Sequence, residues 1–368
     1  MITDFDRFAM NRALVLAARG LETTHPNPRV GCVIAQGTKI IGEGWHERAG
    51  EAHAEVAALS AVRTAGMDPK GTTVYVTLEP CSHHGRTPPC ANALISAGIS
   101  RVVYAVQDPN PEVSGRGAEA LRQAGIAVES GLMEAESVDL NIGFMKRMSY
   151  GKPWIRVKLA MSLDGRTALA NGASRWITGE ASRADVQHWR ARSSAVMTGV
   201  GTVLADDPRL DVRLAPEKPE EEPWQPLRVI LDTRLRTPAD SRLFATGGEV
   251  LILTEDAGRG AAFAEMGVAV ETVPAVGGRL DLSAVIDRLG ELESNEVLVE
   301  AGPTLSGELL RQGLVDELLL YVAPKLLGPQ GFPLVDLPEI GDLQDSLGFT
   351  VAGVQRFEDD LRLRLRPR

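Results

Sequence analysis

His53-Ala54-Glu55, Glu79-Pro80-Cys81 and Pro88-Pro89-Cys90 decide the reading of this chain. Zinc takes a tetrahedral set of nitrogen and thiolate ligands, and a catalytic site leaves the fourth position to water. His53, Cys81 and Cys90 supply three such ligands. Glu55, two residues past His53, is close enough to handle protons for that water without joining the ligand set. Cys81 follows an apolar strand pattern and Cys90 opens a helical one, so the Cys90 sulfur sits near a positive helix end that favours thiolate.

The pattern H-x-E…P-C-x-x-C marks zinc deaminases acting on nitrogenous rings. This chain departs from it, because eight residues rather than two separate its cysteines. The insertion, 82–89, carries His83, His84 and Arg86 and is expected to form a loop over the site. A structural zinc knuckle is the bland alternative, but it wants a fourth protein ligand and has no use for Glu55. The third cysteine, Cys32, lies in the apolar run Val30-Gly31-Cys32-Val33-Ile34 and reads as packed core.

Outward from these motifs, helical and strand patterns alternate, as in layered α/β proteins. Residues 6–19 read as a helix with apolar positions on a 3.6 period, 30–34 and 38–42 as a hairpin around Gln36-Gly37, and 53–64 as a helix. Strands follow at 73–78 and 101–106, and helices at 90–97 and 117–124 are closed by Gly98 and Gly125. The alternation pauses near Met148-Ser149-Tyr150-Gly151-Lys152-Pro153 and resumes with a strand at 154–159. We therefore expect two α/β domains, 1–148 and 152–368, as the 368-residue length also favours. The first should hold a mixed sheet flanked by helices and the second a largely parallel sheet. Residues 215–225, rich in Pro and Glu, should be a solvated excursion.

Composition narrows the function. With 44% hydrophobic and 24% charged residues the chain has ample core. A net charge of −10 argues against a nucleic-acid partner. It leaves room for an anionic small molecule wherever arginines converge. No apolar run reaches the ~20 residues that span a bilayer, and the acidic start Met1-Ile2-Thr3-Asp4 is unlike a signal peptide. A cytoplasmic location, with no membrane partner, is the expectation. Three cysteines make a disulfide framework the weaker reading.

The second half is less legible from its residues. Glycine-bearing turns follow strands at Thr198-Gly199-Val200-Gly201-Thr202 and at Glu300-Ala301-Gly302-Pro303-Thr304-Leu305-Ser306-Gly307. Such turns open helices whose amides attract phosphates. None spells G-x-G-x-x-G with an acidic residue downstream, so a Rossmann dinucleotide site is not supported.

The combined motifs resemble the bifunctional riboflavin-biosynthesis deaminase/reductases, in which the long cysteine spacing is normal. His53-Ala54-Glu55-Val56, Thr77-Leu78-Glu79-Pro80-Cys81-Ser82-His83 and Gly85-Arg86-Thr87-Pro88-Pro89-Cys90 carry the likeness in the first half. So do Asn27-Pro28-Arg29-Val30-Gly31-Cys32, Asp108-Pro109-Asn110-Pro111 and Leu140-Asn141-Ile142-Gly143-Phe144. In the second half it rests on 158–166, Ser174-Arg175-Trp176-Ile177-Thr178-Gly179, 201–208 and 300–307.

The resemblance implies a cytidine-deaminase-like layered domain followed by a dihydrofolate-reductase-like domain. It implies zinc-dependent hydrolytic deamination of a diaminopyrimidinone ribosyl phosphate, then NADPH-dependent reduction of its ribosyl group to ribityl. Carried over by position, Asn27, His46, Arg86 and Asn110 would meet the pyrimidine at the first site, with Glu55 as proton carrier. At the second, Ala160, Trp176, Thr202, Thr233, Asp206 and the turn Gly302, Pro303, Thr304, Leu305, Ser306, Gly307, Glu308 would hold NADPH. Ser174, Arg190, Leu210, Arg213 and Glu300 would hold the substrate, the two guanidinium groups suiting its phosphate. Lys158 and Asp206 are the candidates for polarising the sugar during hydride transfer. Ala301 stands where the family usually has glycine. A homo-oligomer, most simply a dimer through the reductase half, is also implied. The alternative reading is a zinc deaminase of another nucleoside or nucleobase joined to an unrelated second domain.

Overall fold

The computed structural model describes residues 2–82, 89–111, 113–215 and 224–368. Arg86, His83 and His84 therefore lie outside the described residues, as does most of the Pro/Glu stretch at 215–225. The chain divides into two compact units, Met1–Gly151 and Lys152–Arg368.

The first unit opens with α1 (Asp4–Ala17). It begins two residues before the expected start because Thr3 and Asp6 form a capping box, each side chain accepting from the other's backbone N–H. A hairpin, β1 (Gly31–Gln36) and β2 (Lys39–Trp45), turns at Gly37, whose φ of 59° suits glycine. Then come α2 (Ala54–Thr64), β3 (Thr73–Leu78), α3 (Cys90–Ser96), β4 (Arg101–Val106), α4 (Arg116–Gln123), β5 (Ala127–Ser130), α5 (Glu134–Leu140) and α6 (Ile142–Tyr150). The sheet runs β2-β1-β3-β4-β5. Strand β1 is antiparallel to both neighbours while β3, β4 and β5 are parallel, so the expected mixed sheet is present. Helices pack on both faces: α1 against Val33, Ala35 and Tyr75, and α2, α3 and α4 against Cys32, Ile34, Val74 and Val76. Cys32 is fully buried there, as expected.

The second unit comprises β6 (Trp154–Ser162), β7 (Arg166–Ala168), α7 (Glu180–Arg192), β8 (Ala195–Gly199), α8 (Val200–Asp206), β9 (Leu227–Leu231), β10 (Val250–Thr254), α9 (Ala261–Glu265) and β11 (Ala269–Thr272). It continues through β12 (Ala275–Val276), β13 (Arg279–Leu280), α10 (Leu282–Glu291), β14 (Glu296–Val299), α11 (Pro303–Arg311), β15 (Glu317–Ala323), β16 (Phe332–Pro333), β17 (Phe349–Phe357) and β18 (Asp360–Pro367). Its main sheet runs β11-β10-β9-β8-β14-β6-β15-β18-β17. The strands from β11 to β15 are parallel, and the last two join antiparallel as a hairpin the sequence pattern did not reveal. Leu361-Arg362-Leu363-Arg364-Leu365-Arg366 alternates with period two: Leu363 and Leu365 face the core while Arg362 and Arg364 crowd Trp189 of α7.

Charges mark the two edges of this sheet differently. At the amino ends, Arg156 is fully buried between Glu296 (2.8 Å) and Glu317 (2.7 Å). Breaking such a pair leaves a naked charge in apolar surroundings, which makes this edge structural. The carboxyl ends, where open α/β sheets bind ligands, carry several of the residues expected at the second site, Glu300 and Thr202 among them.

Candidate active sites

In the first unit three element ends converge. Strand β3 runs into Pro80-Cys81, His53 is the N-cap of α2, and Cys90 is the first residue of α3 after Pro89. His53 Nδ1 lies 3.2 Å from Cys90 Sγ and 3.6 Å from Cys81 Sγ, and all three ligand atoms fall within 4.8 Å of one another. A tetrahedral zinc with ordinary bond lengths needs ligand–ligand separations of about 3.5–3.8 Å, so the triangle fits that ion. Cys90 donates its backbone N–H to Cys81 Sγ at 3.3 Å. With the Cys90 thiol and His53 also beside it, the Cys81 thiol is pulled well below its ordinary value despite burial. Cys90 is driven up in turn, mainly because Cys81 already holds the charge.

Glu55, in the first turn of α2, is 3% exposed. In the metal-free chain burial, then the neighbouring Cys81 charge, pushes its carboxyl up to about 7. A carboxyl near neutrality gives and takes a proton with little penalty, the property a general acid–base needs. Asn27 Nδ2 donates to His46 Nε2 at 3.0 Å, and His46 Nδ1 donates to the Ala52 carbonyl at 3.1 Å, a tautomer fixed by those partners. Burial pulls the His46 pKa down, and its ring meets that of His53 edge-on at 5.5 Å. Asn27 and His46 thus form a neutral polar wall beside the ligand triangle. Asn110 lies on the β4–α4 connection, its N–H held by Asp108 at 2.8 Å.

The second site spans the carboxyl ends of adjacent strands. Lys158 and Ala160 come from β6, Thr202 from the start of α8 after β8, Thr233 from beyond β9 and Glu300 from beyond β14. Arg190, from α7, reaches Glu300 through two bonds of 2.5 and 3.0 Å and gives a third to the Asp211 carbonyl at 2.9 Å. Burial opposes the Glu300 charge, but Arg190, then Lys158 and Arg213, hold its carboxyl below the ordinary range. Burial lowers the Lys158 pKa, only partly offset by Glu300. Arg213 pairs with Asp211, which also takes Arg209 at 2.6 Å. The two arginines carried over as phosphate ligands are therefore tied to one buried cluster.

Other carried-over positions behave differently. Gly302 caps α11 in extended conformation with Pro303 at its first turn, leaving N–H groups aimed outward in the manner that suits an anion. Farther along, the side chains are engaged elsewhere. A Cβ on Gly307 would lie 2.1 Å from the Asp336 carbonyl, and Glu308 is bound by Arg311 and Gln312, both at 2.5 Å. The Leu210 side chain is buried with Trp189 and Tyr321 and its φ is +55°, so only its backbone can face a ligand. Trp176 is 64% exposed over Arg183 at 4.5 Å. Asp206 is exposed, with the Arg175 guanidinium 4.0 Å away, and Ser174 accepts from the Ile177 N–H at 3.1 Å.

Sequence reasoning missed Asp211, although the alternation Arg209-Leu210-Asp211-Val212-Arg213 carries its signal. It also passed over Glu79, 2% exposed, and Asp360, which accepts from Gly179 N and Ser182 Oγ at 2.7 Å each and so holds the start of α7.

Fold and sites together define a zinc-binding deaminase region joined to a reductase domain. The cytidine and deoxycytidylate deaminase zinc-binding region matches residues 3–106, and the RibD C-terminal domain matches 153–363. Riboflavin biosynthesis protein RibD of Escherichia coli (strain K12) is 49% identical over 98% of this chain and 99% of its own. The RibD structure from Acinetobacter baumannii superposes with a TM-score of 0.91 at 45% identity, covering 99% of each chain. A diaminohydroxyphosphoribosylaminopyrimidine deaminase/5-amino-6-(5-phosphoribosylamino)uracil reductase from Thermotoga maritima gives 0.87 at 34%, again over 99% of each. The chain belongs to the RibD family, the bifunctional deaminase and reductase of riboflavin biosynthesis, with a zinc-binding deaminase half and an NADPH-dependent reductase half. Among the described residues no helix is long and apolar enough to cross a membrane.

Proposed function

We propose that residues 1–148 deaminate a diaminopyrimidinone ribosyl phosphate hydrolytically, and that residues 152–368 reduce the resulting ribosylaminouracil to its ribityl form. The observation that carries this is the His53–Cys81–Cys90 triangle with buried Glu55 beside it. Zinc held there supplies an activated water. Glu55 would take one proton from that water as its oxygen adds to the ring carbon and pass it to the ring nitrogen, then carry the added hydroxyl's proton to the amine, which leaves as ammonia when its bond to that carbon breaks. Asn27, His46 and Asn110 orient the pyrimidine, with Arg86 assigned to the same task by position.

At the second site NADPH supplies the hydride. The first-turn amides of α11 at Gly302 to Thr304, together with Ala160, Thr202 and Thr233, bind the cofactor. Trp176 and Asp206 flank it. Leu305, Ser306, Gly307 and Glu308 support the turn by packing. Arg190, Arg213, Glu300 and Ser174, with the backbone of Leu210, hold the substrate, and Lys158 with Asp206 polarises the sugar. Burial that weakens the Lys158 charge makes it easier for that group to surrender a proton. We further infer a cytoplasmic homodimer joined through the reductase half. The exposed edge strand β17, with Val351 and Val354 outward, supports that choice.

Ammonia release from the diaminopyrimidinone ribosyl phosphate, measured beside NADPH consumption, tests the whole scheme. Both should proceed in sequence on one substrate. Faster ammonia release from cytidine, or ribityl product without nicotinamide, would contradict it.

A further inference from the structure

The proposed reaction gives no task to Glu79, a buried carboxylate at the end of β3. Glu79, two residues before Cys81, accepts the backbone N–H of Asp108 at 3.3 Å, of Gly115 at 3.0 Å and of Ala118 at 3.1 Å. Asp108 is the second residue of the β4–α4 connection, Gly115 closes it, and Ala118 is in the first turn of α4. A helix start has amides without intrahelical partners, and the N-cap here, Gly115, has no side chain to serve them. Glu79 serves as the missing cap from another element, its charge complementing the helix end. A Cβ on Gly117 would lie 1.8 Å from the Pro80 carbonyl, so the same turn of α4 rests directly on the residue before Cys81.

Between the two pinned ends stands Asn110. Its N–H is held by Asp108, and its carbonyl accepts from Val113 and Ser114 at 2.8 and 2.9 Å. One carboxylate thus fixes the substrate-side loop to the strand end that delivers a metal ligand.

We infer that Glu79 is a positioning residue for deamination, holding Asn110 in register with the metal site by clamping both ends of its loop. This rests on the reading of Asn110 as a substrate contact. In Glu79→Gln the amide NH2 must face a backbone N–H whichever way it is turned, so at least one bond is replaced by a clash of donors.

The test uses the full zinc-loaded chain and its own reductase as the folding control. Glu79→Gln should raise KM for the diaminopyrimidinone ribosyl phosphate about tenfold, with kcat changed less. Zinc should stay at one per chain and NADPH-dependent reduction should be unaltered. Combined with Asn110→Ala, its effect on KM should be far less than additive. Unchanged KM, additive effects, or zinc loss with KM intact in the loaded fraction would each overturn the inference. Asn110→Ala without effect on KM would overturn the substrate reading and this inference together. An Asn110 effect beside a silent Glu79→Gln would overturn the positioning role alone. Should Glu79→Gln fail to fold, hydrogen exchange on the wild-type chain decides: the Gly115 and Ala118 amides should be protected, and fast exchange there overturns the clamp.

Discussion

The deaminase site and the reductase site differ in what fixes them. The first is set by residue type: a metal accepts only a few donors, and the chain delivers His53, Cys81 and Cys90 from three element ends onto one triangle. The second is set by place: strand ends brought side by side by a parallel sheet offer backbone amides and one charge cluster around Glu300. A site of the first kind should fail locally and completely when one donor is removed. A site of the second kind should fail by degrees, and partly through stability.

Substitutions that separate these two behaviours sharpen the comparison. Cys90→Ser should abolish zinc binding and lower deamination by at least ~10⁴-fold, while reduction of supplied ribosylaminouracil continues. Metal analysis and paired assays check this, and a loss of both activities would break the contrast. Arg190→Ala leaves the buried Glu300 without its hydrogen-bonded partner, with only the charges of Lys158 and Arg213 to oppose its own, and should destabilise the second unit by about 3–5 kcal/mol in denaturant titrations. Deamination in the same chain should survive.

The third expectation concerns pH. In the metal-free chain Glu55 titrates at about 7 when folded, against 4.5 for the ordinary carboxyl. The folded state then binds this proton more tightly than the unfolded chain does. Its contribution to stability is whole below about pH 4.5 and is lost as the pH rises through about 7, a change on the order of 3 kcal/mol. Denaturation of apoprotein at pH 5 and pH 8 should isolate this contribution as a difference between chains, because the depressed Cys81 thiol acts in the opposite sense over the same window: Glu55→Gln should gain more stability, or lose less, from pH 5 to pH 8 than the wild type does. Smallest is Gly307→Ala: its methyl would press on the Asp336 carbonyl and should cost about 1–3 kcal/mol of the second unit's stability, read as a lower melting temperature, with zinc content untouched.

Legibility followed the same division. The strands at 73–78 and 101–106 and the cysteine positions at a strand end and a helix start were readable, because apolar period and ligand chemistry both act locally in sequence. The β17–β18 hairpin was not: its Leu/Arg alternation means little until Glu317, Asp185 and Trp189 are known to lie against it. Arginines show the limit most clearly. Arg156 and Arg190 look alike in sequence, yet one is locked at the amino edge between Glu296 and Glu317 and the other reaches the ligand edge through Glu300. Glu79 escaped notice for a related reason, since its partners are backbone amides, which no residue code records.

Glu55→Gln tests the central claim most directly, with zinc content, ammonia release and NADPH consumption measured on one preparation. Removing only the proton carrier should keep one zinc per chain and full reduction while deamination falls by ~10²–10⁴-fold. A variant that deaminates at the wild-type rate, or that loses its zinc, would contradict the account.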